Sequence, residues 1–140
     1  MVDAIGNALG GLLASQKRVE ASASNIANFQ SAGAIDPANG PPAFDARTVI
    51  QTPLIDENGV VFGLDSEIIP KQDPTQTAFD PDSPFANEEG LINIPNVNLS
   101  EEIVNLNLAE ITFKANARVI EAASELSREV TNILGNRSED

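Results

Sequence analysis

The sequence predicts a mainly α-helical protein in which long N- and C-terminal helices pair as a coiled coil, separated by a Pro-rich middle. All nine prolines lie between Pro37 and Pro95, and a proline inside a helix costs about 3 kcal/mol or more. In the two proline-free ends, apolar residues recur at steps of three and four, the spacing of one helix face. We therefore divide the chain into an N-terminal helix (1–28), a short β-hairpin with an extended loop (29–98) and a C-terminal helix (99–140).

The N-terminal helix is predicted to run from about Asp3, as its N-cap, to Asn28. Gly6, Gly10 and Gly11 each cost a helix about 1 kcal/mol relative to alanine, so its first turns should be weak in isolation. One side of this helix carries a stripe that is apolar except for Gln16. The stripe consists of Val2, Ile5, Leu9, Leu12, Gln16, Val19, Ala23 and Ile26.

The C-terminal helix is predicted from about Leu99 to Leu134, with Ser100 or Asn98 as N-cap and Gly135 as C-cap. Its apolar seam repeats every eleven residues, which favours nearly straight helix packing. The seam consists of Val104, Leu108, Ile111, Ala115, Val119, Ala122, Leu126, Val130 and Ile133. A second apolar set lies beside it: Ile103, Leu106, Phe113, Ala117, Ile120 and Leu134. A helix with two apolar faces needs further partners.

The middle of the chain is predicted to contain one hairpin. Residues 43–54 and 60–69 are rich in β-branched residues, and Asn58-Gly59 between them is a strong turn signal. Beyond Pro70 the composition is poor in apolar residues, so we expect an extended, partner-dependent loop over residues 71–90.

The charge balance argues against two classes of partner. The chain has 21 acidic and 8 basic residues, a formal net charge of -13. Nucleic acid binding requires a cationic surface, and an anionic bilayer would repel this chain. No apolar run approaches the roughly 18 residues that span a membrane. We therefore expect neither nucleic acid binding nor direct membrane insertion.

The residue types of common catalytic and metal sites are scarce. The chain has no cysteine and no histidine, which removes thiol chemistry and the commonest general base and metal ligand. The spacing of Asp80, Asp82, Glu88 and Glu89 does not match a calcium-binding loop, so we interpret them as solvated loop acids. We expect no cofactor and no catalytic activity, and a small metal-dependent hydrolase is the least favoured alternative.

The segment ASNIAN at 23–28, followed by SAG at 31–33, forms the first motif. Asn25 and Asn28 stand where the helix should end, and both asparagine and Gly33 tolerate a left-handed backbone. An ordinary helix terminus explains these residues equally well. The segment also resembles the N-terminal signature of flagellar axial proteins, the rod, hook and hook-associated subunits.

The second motif is FDPDSPFANEEGLINIPNVN at 79–98, followed by EEIVNL at 101–106. It resembles the segment that leads into the C-terminal helix of flagellar basal-body rod proteins, closest to the C subunit of the proximal rod. Within it, Pro95 and Asn96 also have a simpler explanation, since a proline before a helix fixes the direction of the chain. The chain departs from the family pattern at Phe29, at Ala34 and over residues 107–113.

The resemblance implies a structural subunit of the flagellar proximal rod, located in the periplasm within the basal body. Its terminal helices would polymerise into the hollow drive shaft that transmits torque and carries exported subunits. The implied partners are copies of itself, other rod subunits, the flagellar export apparatus and the MS-ring base. Export would use the flagellum-specific type III apparatus without a cleavable signal peptide, because the N-terminal residues lack the features of one.

The helix stripes and the family segments together predict an assembly interface. Its residues are Ile5, Leu9, Leu12, Val19, Asn25, Ile26, Asn28, Gly33, Pro95, Asn96, Val104, Leu108, Ile111, Phe113, Val119, Leu126, Val130 and Ile133. The nearest alternative function is another flagellar axial subunit, either a different rod component or a hook-related protein. A more distant one is a secreted or periplasmic binding module that uses the hairpin edge and the acidic loop.

Overall fold

Two long helices flank a smaller β-structured middle in the computed structural model, which describes residues 2–136. The helices are α1 (Val2–Asn28) and α2 (Leu99–Asn136). Between them lie a short 3-10 helix (Pro37–Asn39) and the strands β1 (Arg47–Ile55), β2 (Val61–Pro70), β3 (Thr75–Phe79) and β4 (Leu91–Pro95). The predicted architecture, two long helices that flank a smaller middle, is confirmed. Met1 and residues 137–140, which the predicted terminal segments include, lie outside the described residues.

The start of α2 is capped by one of the two candidate residues. The side chain of Asn98 accepts hydrogen bonds from the backbone N–H groups of Ser100 and Glu101, at 3.0 and 3.3 Å. Asn98 is therefore the N-cap, and Ser100 lies inside the helix. Glu101 and Glu102 occupy the first turn, where the helix dipole favours negative charge.

Two other predicted helix boundaries are wrong. The helix α1 begins at Val2, so Asp3 lies within the first turn and does not precede it. Gly135 was expected to end α2, but the helix continues to Asn136. In both cases the helical backbone extends one residue past the residue type that favours a helix end.

The two helices run antiparallel, and α2 extends past α1. Near the end of α1, Asn25 contacts Glu102 of α2, whereas nearer its start Gly11 packs against Asn116. Since both helices rise equally per residue, the start of α1 lies level with about residue 125 of α2. Residues 124–135 are all exposed, so the last turns of α2 project beyond the helix pair.

The helices pair through small residues and not through the predicted apolar stripe. The buried residues of α1 are Ala8, Gly10, Ala14, Ser15, Ala21, Ser22 and Asn25. Ala109 is the completely buried residue of α2, at 0% exposure. Ile5, Leu9 and Val19 of the stripe are exposed. Because small side chains let helix backbones approach closely, the inner contact has little room for large residues.

The glycines of α1 allow neighbouring segments to lie against its backbone. A Cβ atom at Gly6 would lie 2.7 Å from the carbonyl oxygen of Phe62, and one at Gly10 would lie 2.8 Å from the backbone nitrogen of Leu64. Gly11 faces α2 in the same way. These glycines weaken the isolated helix, but they admit β2 on one side and α2 on the other.

The predicted β-hairpin is present. Strands β1 and β2 pair antiparallel, beginning with Arg47 opposite Pro70. In the turn, the carboxylate of Asp56 accepts hydrogen bonds from two backbone N–H groups, both at 2.8 Å. Gly59 has a positive φ of 80°, the left-handed conformation that glycine adopts readily. The Asn-Gly signal therefore located the turn correctly.

The segment after β2 is more ordered than predicted. In place of an extended loop over residues 71–90, β3 pairs antiparallel with β4, beginning with Thr75 opposite Pro95. The prediction was wrong because β3, with the sequence TQTAF, is short and mostly polar. Its order comes from backbone hydrogen bonds to a distant strand, which leave no periodic signal in the sequence.

The connection from β3 to β4 forms a projecting turn. We call residues 80–90 the acidic turn because they include the exposed residues Asp80, Asp82, Glu88 and Glu89. The backbone N–H of Asp80 donates to the carbonyl oxygen of Gly90 at 2.9 Å. The side chain of Asn87 accepts hydrogen bonds from two further backbone N–H groups, at 3.0 and 2.8 Å. The acidic turn is therefore held by its own hydrogen bonds.

Candidate assembly surfaces

A buried polar cluster joins the end of α1 to β1 and α2. Asn25 is completely buried, at 0% exposure. Its amide nitrogen donates to the backbone carbonyl of Arg47 and to the carboxylate of Glu102, both at 2.8 Å. Its amide oxygen accepts from the backbone N–H of Arg47, also at 2.8 Å. One side chain thus holds three segments together, with both donor positions of its amide used.

Glu102 is the second buried member of this cluster. Its side chain is 2% exposed and forms an ion pair with Lys71 at 3.1 Å. Burial raises the pKa of Glu102, but hydrogen bonds from Ser22, Asn25 and Lys71, together with the charge of Lys71, lower it below the ordinary glutamate value of 4.5. The carboxylate is therefore ionised and neutralised by its partners at neutral pH.

These contacts correct the backbone roles predicted for Asn25, Asn28 and Gly33. Among residues 2–136, the residues with a positive φ are Gly40, Gly59 and Gly90, so Gly33 does not adopt a left-handed backbone. Asn25 bridges three segments and does not end the helix. Asn28 donates to the carbonyl oxygen of Ser24 at 2.8 Å, within its own helix. The asparagines therefore act through hydrogen bonds and not through a left-handed backbone.

Gly33 is needed because it has no side chain. A Cβ atom there would lie 2.0 Å from the backbone nitrogen of Ala43, far inside van der Waals contact. The backbone of Gly33 also exchanges two hydrogen bonds with Asn93 of β4, at 2.9 and 3.0 Å. The chain after α1 is thus held between the segment that precedes β1 and the second sheet.

Pro95 and Asn96 connect β4 to α2. Pro95 is buried and ends β4 opposite Thr75. The backbone N–H of Asn96 donates to the carbonyl oxygen of Pro74 at 2.9 Å. The side-chain amide of Asn96 donates to the backbone carbonyl oxygen of Asp73 at 3.0 Å. Both residues position the start of α2, and their role in assembly stays a prediction.

The eleven-residue seam of α2 faces outward. Its large members are between 43% and 65% exposed: Val104, Leu108, Ile111, Val119, Leu126, Val130 and Ile133. A continuous apolar row of this length on a protein surface indicates contact with another molecule. The seam lies away from the face that contains Ala109, so α2 has one face for α1 and another that is exposed over most of its length.

A second outward apolar face borders the line where α1 and α2 meet. The predicted residues at this face range from half-buried to exposed: Ile5, Leu9, Leu12, Val19, Ile26 and Phe113. A groove of about 400 Å³ lies between the two helices, with Val19 on one wall and Phe113 on the other. The helix pair therefore presents a groove as well as a seam.

A polar cavity lies between α1, β1 and the start of α2. Its volume is about 320 Å³. Arg18, Arg47 and Lys71 line it, with Glu101 and Glu102 as its acidic residues. We call it the cationic cavity.

Among residues 2–136, no three acidic side chains come together as a metal ion would require. No helix in this range combines the length and the hydrophobicity needed to cross a bilayer.

Comparison with known proteins shows the family to which the chain belongs. A sequence profile of the family described as "Flagellar basal body rod FlgEFG protein C-terminal" matches residues 88–133. A flagellar basal-body rod protein FlgC of Yersinia enterocolitica is 32% identical over 127 residues, which cover 89% of this chain and 88% of the relative. The chain belongs to the FlgC family of flagellar basal-body rod proteins.

Other FlgC proteins match over similar lengths. The FlgC of Salmonella typhimurium is 28% identical over 124 residues, covering 89% of this chain and 88% of the relative. The FlgC of Borreliella burgdorferi is 27% identical over 152 residues, covering 96% and 97%. These matches confirm the resemblance that residues 23–33 and 79–106 indicated. They make this chain a structural component of the flagellar basal body.

Several residues that hold this FlgC-family fold together were missed from the sequence: Ser22, Lys71, Glu102 and Ala109. Glu102 was included only within the segment EEIVNL, although it is a buried ion-pair partner. No local signal in the sequence distinguishes these residues, because the groups they contact lie far along the chain.

Proposed function

We propose that this FlgC-family chain is a structural subunit of the flagellar proximal rod, which polymerises through the outward apolar faces of its terminal helices. One observation supports this most strongly. The helices α1 and α2 pair through small residues and leave their large aliphatic residues exposed. Because apolar surface gains roughly 25 cal/mol per Å² when it leaves water, these faces favour association with other subunits.

Two different faces of one helix pair suit a polymer. The seam around Leu108 and Ile111 lies on one side of α2, whereas the groove between Val19 and Phe113 lies on another. A contact between unlike faces of identical subunits repeats from copy to copy, and it builds a helical assembly when the rotation between copies does not close a ring. Such an assembly is a hollow drive shaft that transmits torque and carries exported subunits. It needs neither a cofactor nor catalytic activity.

The proposed location is the periplasmic part of the basal body, after export by the flagellum-specific type III apparatus. The proposed partners are copies of the chain, other rod subunits, the export apparatus and the MS-ring base. A net charge of -13 supports this route, since self-repulsion keeps monomers soluble before they assemble. The alternative of another rod or hook-related subunit is less favoured, because the curated relatives described above are FlgC proteins along most of their length.

The proposal predicts that Leu108→Asp blocks rod assembly. Leu108 is 49% exposed in the monomer, so its replacement should change the free energy of unfolding by less than about 0.5 kcal/mol. A charge within an apolar subunit contact would instead oppose association. Cells that carry only this variant should be non-motile and lack complete rods in isolated basal bodies.

The matched control is Asn107→Asp, which adds a charge at the neighbouring exposed position. It should leave both motility and monomer stability unchanged. Normal amounts of the Leu108→Asp chain in basal bodies would show that the seam is not an assembly contact.

A further inference from the structure

The cationic cavity contains two arginines that are not neutralised within the described chain. Arg18 donates to the side-chain oxygen of Gln51 at 3.2 Å. The guanidinium of Arg47 lies over the ring of Phe44, 5.3 Å from its centroid. Neither arginine takes part in an ion pair among residues 2–136. Because a guanidinium has five N–H donors in a planar fork, both groups retain capacity for a carboxylate.

This concentration of positive charge is unusual in so acidic a chain. The cavity is lined by Arg18, Arg47 and Lys71, which are three of the 8 basic residues in a protein with 21 acidic ones. Lys71 is already paired with Glu102, and Glu101 is the other acidic residue of the lining. Electrostatic complementarity therefore directs the cavity towards a carboxylate-bearing partner.

The acidic turn has the complementary properties. It carries four carboxylates, and the sequence contains no basic residue between Lys71 and Lys114. None of its carboxylates forms an ion pair among the described residues. Its own hydrogen bonds keep it ordered, so binding would require little further loss of conformational entropy. Phe79 at its base is 72% exposed, which adds an apolar contact beside the charges.

Other acidic groups of the chain are less suited to this cavity. The carboxylate of Asp56 accepts two hydrogen bonds within the hairpin turn, and Glu110 pairs with Lys114. The later glutamates of α2 lie among basic residues of the same helix: Arg118, Glu121, Glu125, Arg128 and Glu129. Among residues 2–136, the acidic turn has the densest group of exposed carboxylates without an ion pair, four within residues 80–90.

We propose that the acidic turn of a second copy of the chain inserts into the cationic cavity, where its carboxylates pair with Arg18 and Arg47. The occupant is a second copy because no residue of the chain's own acidic turn lines the cavity. The contact joins two different surfaces of the same chain, so it repeats from subunit to subunit. It rests on the proposed rod function and identifies a polar contact that borders the apolar seam, since Leu108 of the seam also lines the cavity.

Cysteine cross-linking tests this contact, because the chain contains no cysteine of its own. Thr48 lines the cavity, and Pro84 is exposed in the acidic turn. The full chain with Thr48→Cys and Pro84→Cys should replace the natural chain in cells, and isolated basal bodies should then be oxidised. We expect a ladder of disulfide-linked copies, whereas each single-cysteine variant should give none. A control pair, Thr48→Cys with Glu57→Cys at the exposed hairpin turn, should also give none.

Charge reversal tests the chemistry of the same contact. In the paired-cysteine chain, Arg47→Glu should lower the cross-linked fraction roughly tenfold, because like charges oppose each other at the contact. Adding Asp82→Arg should restore most of the cross-linking. Arg47 joins the buried cluster through its backbone only, so circular dichroism should show unchanged helicity in both variants.

The outcomes separate this contact from the rod function. Basal bodies that contain the paired-cysteine chain without any link between copies would overturn the contact and leave the rod function intact. A disulfide formed only with a different rod protein, through the single Thr48→Cys variant, would likewise exclude the second copy as occupant. If the natural chain were absent from the basal bodies of motile cells, the proposed rod function itself would be refuted.

Discussion

The inner and outer faces of the helix pair are built from different kinds of residue. Inside, small residues such as Ser15 of α1 and Ala109 of α2 are buried, and the cluster around Asn25 joins the segments by hydrogen bonds. Outside, large aliphatic residues such as Leu108 and Ile111 remain in solvent. The comparison shows that the fold of the monomer and its proposed assembly use different residues of the same two helices.

The difference has an energetic consequence. The buried hydrophobic residues of the described chain are seven alanines and one larger residue, Ile92. Since hydrophobic stabilisation scales with the apolar area buried, this core contributes little for a chain of 140 residues. Directional polar contacts and close backbone packing therefore matter more than usual. Substitutions on the inner face should destabilise the monomer, whereas those on the outer face should affect assembly.

The largest effect on the monomer is expected for Asn25→Ala. The substitution leaves the backbone groups of Arg47 and the carboxylate of Glu102 without their partner in a buried site. We expect the free energy of unfolding to fall by about 3 kcal/mol, measured by urea denaturation at pH 7. Asn28→Ala, which removes one hydrogen bond within α1, should cost less than about 1 kcal/mol. Equal losses in the two variants would mean that the buried cluster does not join the segments.

A smaller loss is expected for Ala109→Leu on the inner face. Ala109 is 0% exposed, so a larger side chain must push α1 and α2 apart, at a cost of about 2 kcal/mol. Ala115→Leu makes the same change on the exposed seam and should alter stability by less than about 0.5 kcal/mol. Denaturation of both variants compares the faces directly, and a neutral Ala109→Leu would contradict close packing at that position.

The smallest effect concerns pH. Although burial raises the pKa of Glu102, its hydrogen bonds and the charge of Lys71 lower it overall. A carboxyl with a lowered folded pKa stabilises the protein above the unfolded pKa, and this contribution is lost as pH falls through the folded value. The unfolding free energy of the natural chain should therefore fall more steeply below about pH 5 than that of Glu102→Gln.

The control for this comparison is Glu101→Gln, which alters the exposed neighbour of Glu102. Its pH dependence should follow that of the natural chain, since Glu101 lies outside the buried cluster. Parallel curves for Glu102→Gln and the natural chain would show that the ionised carboxylate of Glu102, with its hydrogen bonds and its ion pair, does not contribute to stability.

Local signals predicted much of the fold. Proline placement and helical periodicity located both helices, and Asn58-Gly59 located the hairpin turn. These features depend on neighbours close in sequence, which is why they are visible without a structure. Strand β3 was missed because it is ordered by pairing with β4, a partner separated from it by the acidic turn.

The candidate site was predicted unevenly for the same reason. Asn25 and Gly33 were predicted as assembly residues, which stays a prediction, and the backbone role expected of them was wrong. Asn25 acts through Arg47 and Glu102, which lie far along the chain, and Gly33 is required by the approach of Ala43. The residue type at a position shows which backbone conformations and hydrogen bonds are possible there. The role of Asn25 and Gly33 depends in addition on which distant atoms approach them in the folded chain.

The sequence alone determined that this protein has two helices with apolar stripes, a proline-rich middle, no histidine or cysteine and a strongly negative net charge. Those properties follow from composition and local spacing, which do not change on folding. Only the tertiary structure decided which helix face is inside. Alanine and serine permit the closest backbone approach, and the buried hydrogen bonds of Asn25 secure that arrangement. The larger apolar residues were left outside, where they remain available to other subunits.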